Sequence, residues 1–218
     1  MRTKKNLVHK IVGIAMFAAL AYVVSLVFHL KVMFLTFDAK DAIIAMSGFI
    51  FGPISAVITS LLAATIELSI SDTGIYGFIM NFASSATFSL VSSLIYKYKR
   101  TFFGSIIAFY SATAVLCAVM IGLNILITPF FMGQPREAVI ELIPTLFLPF
   151  NLAKALMNSA IAMLLYKPVI TALRKAKLIY TDDKIKKKTG FNIYTVLTLA
   201  FGLSTLAVAI TIFLILKK

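Results

Sequence analysis

Apolar residues in this chain neither alternate nor follow one face of a helix; they run nearly unbroken. The stretches fall at about 11–30, 35–70, 75–96, 102–129, 142–166 and 191–216, lengths suited to the roughly 20 residues that cross a hydrocarbon core of about 30 Å. The second is too long for one simple helix, and Gly52-Pro53 divides it. Proline has no N–H to donate and drives the preceding residue out of the helical region, so two shorter crossings, near 38–51 and 54–70, are expected. Basic residues provide a check. Segments 1–10, 97–100 and 167–188 hold four, three and eight Lys/Arg, fifteen of the 21 in the chain, and such clusters stay on the cytoplasmic side. One crossing within 35–70 would put Lys97, Lys99 and Arg100 outside; two bring them inside. The pattern predicts seven helices, with a cytoplasmic N-terminus and an external C-terminus. The 31–37 loop, the turn from Ser71 to Gly74 and the 130–141 loop then lie on the outer surface. Residues 1–178 read as a six-helix membrane domain, 179–190 as a cytoplasmic linker, and 191–218 as an additional transmembrane helix.

Composition agrees with an all-α integral membrane protein: 61% of the 218 residues are hydrophobic and 13% charged, where soluble domains have about half and about a quarter. A net charge of +13 in a soluble chain would suggest nucleic acid. Here the charge sits in runs at the ends of spans, and nucleic-acid binding is not expected. The basic N-terminus followed by an apolar run has the outline of a signal peptide, but the run is long and more spans follow, so an uncleaved first helix is the better reading. Cys117 is the single cysteine, which excludes a disulfide within the chain and a cysteine metal site. The sequence has no G-x-x-x-x-G-K-[ST] phosphate loop, no H-E-x-x-H and no G-x-S-x-G elbow, and its two histidines are His9 and His29. It offers no ATP site of that type and no catalytic set.

Polar residues inside spans are costly and usually face the bundle interior. In Pro149-Phe-Asn-Leu-Ala-Lys154, continuing to Asn158, positions 151, 154 and 158 share one helical face bearing two amides and an ammonium. Lys154 lies about a dozen residues from the helix's cytoplasmic end, and it reads either as a ligand contact or as the partner of a buried carboxylate such as Glu67. Asn81 and Asn124, taken singly, read as hydrogen-bonding glue between helices; with Asn151 they form a convergent amide set for a neutral ligand with donors and acceptors. Phe150, Phe130, Phe131 and Tyr76 could wall an apolar slot, although lipid-facing packing is the commoner fate of membrane aromatics. Asp38, Lys40 and Asp41 read as a solvated helix start with Asp38 as cap, with a place at the mouth of a pocket as the main alternative and metal binding by the two carboxylates as a remote one. In the first helix Ala15 and Ala19 are a small-xxx-small pair that lets another helix approach closely. Facing inward they would pack the bundle; facing outward they would form a docking strip. Gly48 and Gly52 are a second such pair.

Several runs together resemble a known family. Phe37-Asp-Ala-Lys-Asp41, Gly48-Phe-Ile-Phe-Gly-Pro53, Gly77-Phe-Ile-Met-Asn81, Ile127-Thr-Pro-Phe-Phe-Met-Gly133, Pro135-Arg-Glu137 and Leu148-Pro-Phe-Asn-Leu-Ala-Lys154 are similar to the substrate-capturing S components of energy-coupling-factor (ECF) vitamin transporters, in particular the riboflavin-binding type. The resemblance covers roughly residues 8–178, and Pro-Phe-Asn-Leu-x-Lys is its most specific run. It implies a six-helix core, to which 191–216 is extra, and an outward-opening pocket covered by the first external loop. It further implies a ligand, riboflavin, carried rather than held as a cofactor. Asn151 and Lys154 would lie at the ligand, beside the Phe150 read above as a wall of the slot, with Asn81, Asn124, Asp38, Lys40 and Asp41 near it. Ala15 and Ala19 would meet a membrane coupling (T) subunit, and two cytosolic ATPase subunits would supply energy. The alanine after Asp41, where members often have a proline nearby, departs from the pattern. An S component for another vitamin or precursor, and a membrane-embedded lipid enzyme, are the competing readings.

Overall fold

The computed structural model describes residues 2–98, 102–175 and 193–216. Its elements are helix α1 (Arg2–Val27), a short antiparallel hairpin β1 (Leu30–Val32) and β2 (Leu35–Phe37), and helices α2 (Lys40–Phe51), α3 (Pro53–Leu68), α4 (Gly74–Tyr98), α5 (Phe102–Met132), α6 (Arg136–Leu142), α7 (Leu148–Lys175) and α8 (Ile193–Leu216). A wide π-helical turn, Ile143–Phe147, joins α6 to α7. Among the described residues, five helical stretches are long and apolar enough to cross a bilayer: Leu7–Val27, Gly74–Tyr98, Phe103–Met132, Arg136–Tyr166 and Leu199–Leu216. The proposed linker 179–190 lies outside the described residues.

The long apolar stretch 35–70 does break where proline dictates. The Gly52 amide donates to the Gly48 carbonyl at 2.8 Å, Gly52 takes φ +101, a value open to glycine at little cost, and Pro53 starts α3, where its missing N–H has no helical partner to lose. The two halves have 12 and 16 residues, roughly 18 and 24 Å at 1.5 Å per residue, both short of a full hydrocarbon thickness. Helix α2 is accordingly enclosed, with Lys40 through Gly48 all buried. It packs against α1, α3, α4 and α7. Gly48 sits where an added Cβ would come within 2.8 Å of the Ala56 Cβ, so this glycine permits the close passage of α2 over α3.

Two connections differ from the sequence reading. Residues 31–37, expected as a loop, pair as a hairpin with Leu30 opposite Phe37 and Val32 opposite Leu35; Met33 at the turn takes φ 54. The 130–141 loop is largely helical. Helix α5 continues past Pro129 to Met132, because one proline removes one hydrogen bond without displacing the turn that follows it. Gly133 then reverses the chain at φ 62, and α6 begins at Arg136. In the wide turn the Leu148 amide reaches back to Ile143. The extra residue turns the faces of α7 by about 100° relative to α6, ahead of the polar positions 151 and 154.

Candidate functional site

Between the hairpin and helices α4, α5 and α7 lies a cavity with about 700 Å³ of empty space, counting its open mouth. Phe34, Leu35 and Thr36 of the hairpin, Tyr76, Met80 and Asn81 of α4, Met120, Asn124 and Phe131 of α5, and Phe150, Asn151 and Lys154 of α7 line it. A mostly apolar wall with a few placed polar groups is the usual composition of a small-molecule site. Lys31 of the hairpin pairs with Asp72 of the α3–α4 turn at 2.5 Å, both exposed. The ammonium's hydrogen bond and charge hold the Asp72 carboxyl below the usual carboxylate range.

Asn81, Asn124 and Asn151, on three different helices, thus meet at one cavity, and the hydrogen bonds fix what they present. The amide nitrogen of Asn151 donates to the Phe147 carbonyl at 2.8 Å, and that of Asn124 to the Met120 carbonyl at 2.7 Å. A carbonyl can only accept, so these side chains cannot be flipped without losing a bond. Their carbonyl oxygens are therefore the ends left to accept other partners. Asn81 donates to the Glu67 carboxylate at 3.4 Å and is oriented the same way. The Asn124 oxygen accepts the Thr128 hydroxyl at 2.9 Å and retains a lone pair. The cavity wall is rich in acceptors.

Lys154 is its cationic counterpart. The ammonium donates to the Asp38 carboxylate at 2.9 Å and to the Thr36 carbonyl at 3.2 Å. It has three N–H groups, so these two bonds leave one over, and Lys154 itself lines the cavity. Asp38 also accepts the Lys40 amide at 3.3 Å, and its carboxylate lies 3.6 Å from the Lys40 ammonium. Lys40 in turn pairs with Glu67. A continuous chain therefore runs behind the cavity from Asn81 through Glu67, Lys40 and Asp38 to Lys154. Asp41 stands beside this chain and accepts the Ser85 hydroxyl at 2.5 Å. Such charges persist away from water only when paired and hydrogen-bonded.

The structure thus separates the residues that the sequence groups together. Asn81, Asn124, Phe150, Asn151 and Lys154 line the cavity; Asp38, Lys40 and Asp41 do not. Those three are about 1–2% exposed, not the solvated helix start expected from their charge, because α7 and α3 bring Lys154 and Glu67 to them. Glu67 meets Lys40 rather than Lys154. Asn158 does not reach the cavity: its oxygen accepts the Ala42 amide at 2.8 Å and its nitrogen donates to the Asp38 carbonyl at 2.9 Å, closing the open N-terminus of α2. Of the aromatics, Tyr76 and Phe131 line the cavity, while Phe130 is 67% exposed. Phe34 and the Thr36 carbonyl escape a sequence reading, since a hairpin of three-residue strands leaves no periodic signal. Thr128 was legible, standing four residues after Asn124 on one helix face. Ala15 and Ala19 face outward, and Phe17, Ala18 and Ala21 face the core.

The profile of the family described as "ECF transporter, substrate-specific component" matches residues 9–166. The protein described as "Riboflavin transporter RibU" of Staphylococcus aureus (strain TCH60) is 26% identical over 175 residues, which cover 76% of this chain and 93% of that relative. A solved structure described as "Structure and mechanism of the S component of a bacterial ECF transporter" superposes with a TM-score of 0.65 at 27% identity, over 80% of this chain and 99% of its own. The family match spans most of the chain, cavity included, and the fold follows that of a solved S component: this multi-pass membrane protein belongs to the substrate-specific components of ECF transporters, and it is a transporter subunit rather than an enzyme.

Proposed function

We propose that this S component captures riboflavin from outside the cell. The observation that carries the reading is the meeting of three asparagines and one lysine in a single, mostly apolar cavity, the asparagine nitrogens being already bonded elsewhere. Riboflavin is neutral and flat. Its imide edge sets an N–H donor between two carbonyl acceptors, and its tail carries hydroxyls. The N–H and hydroxyls suit asparagine oxygens, and a carbonyl or hydroxyl oxygen suits the free Lys154 proton. Tyr76, Phe131 and Phe150 supply aromatic walls for the ring. Likeness to a relative described as a riboflavin transporter supports the same choice.

The test is a titration that follows the quenching of riboflavin fluorescence. Purified protein is expected to bind and to copurify with the yellow ligand. Asn151→Ala removes an acceptor and is expected to weaken binding by about ten- to a hundredfold, the equivalent of roughly 1–3 kcal/mol for a ligand donor left buried and unpaired. A colourless protein without measurable riboflavin affinity, but with affinity for another vitamin, would transfer the proposal to that vitamin.

The reading includes a topology. Residues 1–178 form a six-helix substrate-binding domain, 179–190 a cytoplasmic linker, and α8 an added spanning helix, with the N-terminus inside and the C-terminus outside. The lengths of α2 and α3 fit a pair that crosses together around a buried centre. Helix α4 starts beside the cavity at Gly74 and ends at Tyr98, next to the basic run Lys97 to Arg100, so the cavity lies at the end away from that run. A cysteine placed at exposed Gln134 is expected to react with an impermeant reagent from outside, and one at exposed Tyr98 only after permeabilisation. The reverse would invert the topology. Energy would come from a membrane coupling subunit and two cytosolic ATPases, with the outward strip at Ala15 and Ala19 as the contact.

A further inference from the structure

The extra helix α8 reaches the cavity's own supports. Its first half is held by α5 and α7: Phe201 packs edge-on against Tyr110 with ring centres 5.8 Å apart, the Tyr110 hydroxyl meets that of Thr205 at 3.3 Å, and a Cβ added to Gly202 would lie 3.1 Å from Leu164. Twelve residues further on, about 18 Å along a helix, Phe213 lies against Phe37 of β2, their ring centres 4.5 Å apart. Phe37 in turn meets the cavity residue Phe150 at 6.0 Å, edge to face. All three rings are buried in one apolar cluster.

The position of Phe37 gives this contact its consequence. Thr36 on one side of it supplies the carbonyl, and Asp38 on the other the carboxylate, that together hold the Lys154 ammonium. A residue fixed between two such groups fixes both. Without α8, Phe37 would lack its closest aromatic neighbour, and the hairpin, whose strands have only three residues each, has little of its own to hold its register. We propose that α8 is a brace for the binding site: Phe213 clamps Phe37 against Phe150 and so positions the groups that aim Lys154 into the cavity. Phe213 acts through these neighbours as a positioning residue and touches no ligand. The inference rests on the cavity being the ligand site, but not on which ligand fills it.

The experiment compares Phe213→Ala with Phe201→Ala in the full chain. Both truncate a ring packed by α8, and only the first lies at the hairpin. Amide hydrogen exchange of Leu30–Phe37, measured without ligand, is expected to speed up about tenfold or more in Phe213→Ala, the scale set by losing an aromatic pair together with its burial, and to stay at the wild-type rate in Phe201→Ala. Phe213→Leu, which keeps most of the volume, is expected to fold and to fall between wild type and alanine; it carries the test if Phe213→Ala does not fold. In the riboflavin titration the same variants should raise the dissociation rate in the same order and leave association little changed. Unchanged hairpin exchange in the Phe213 variants, or equal acceleration in Phe201→Ala, would overturn the brace. Failure of riboflavin to bind at all leaves the exchange measurement intact, so the two proposals fail separately.

Discussion

Lys154→Met is expected to lose both stability and ligand, and Asp38→Asn added to it to return the stability alone. Methionine keeps much of the lysine stem and removes the ammonium, leaving the Asp38 carboxylate about 1% exposed with only Lys40 beside it at 3.6 Å. Breaking a buried pair from one side costs about 3–5 kcal/mol, chiefly through the charge left behind. In detergent the single variant should therefore lose its monodisperse form at a markedly lower temperature than wild type. The double variant carries no stranded charge, and asparagine can still accept the Lys40 amide that Asp38 accepts at 3.3 Å. It should recover most of that temperature. Binding should not follow, because the lysine proton turned to the cavity is absent from both variants; a loss of about tenfold to a hundredfold corresponds to one unpaired buried acceptor on the ligand. A folded double variant with wild-type riboflavin affinity would remove Lys154 from the site and leave it a purely structural role. A double variant as unstable as the single one would mean that the Asp38 charge is not what the ammonium neutralises.

Ala15→Trp together with Ala19→Trp should abolish uptake by cells while purified protein still binds riboflavin. Both alanines point away from the bundle, while Ile14, Phe17, Ala18 and Ala21 of the same helix are buried. Small residues one turn apart permit a partner helix to approach closely. Overpacking such a contact costs about 1–3 kcal/mol per site, and two sites together weaken assembly by roughly 30-fold or more. The cavity lies among α4, α5, α7 and the hairpin, to which α1 contributes no lining residue, so binding has no reason to change. Parallel loss of binding and uptake would show that the strip supports the fold rather than the partner. The same substitutions at Ala18 and Ala21 should abolish both, since each is at most 2% exposed and has no room for a larger side chain.

Hydropathy, proline placement and charge are local or additive properties, and they made much of this protein legible in the sequence. Apolar runs fixed the helical membrane class, Gly52-Pro53 the division of α2 from α3, and the spacing of Asn151 and Lys154 a polar face on α7. A run as distinctive as Pro149-Phe-Asn-Leu-Ala-Lys154 also carried the family. What tertiary structure decided was which charge meets which. The sequence offered Glu67 as a partner for Lys154; folding gave Glu67 to Lys40 and Asp38 to Lys154, because α2 is too short to span and is drawn inside with its charged first turn. Helical periodicity cannot report that burial, since Asp38, Lys40 and Asp41 read alone as a wet helix start. The hairpin and the reach of Phe213 to Phe37 were equally hidden, the first because strands of three residues leave no pattern, the second because the partners lie 176 positions apart in the chain. Sequence spacing determines which residues share a face of one helix; only the packing of helices against one another determines what that face meets.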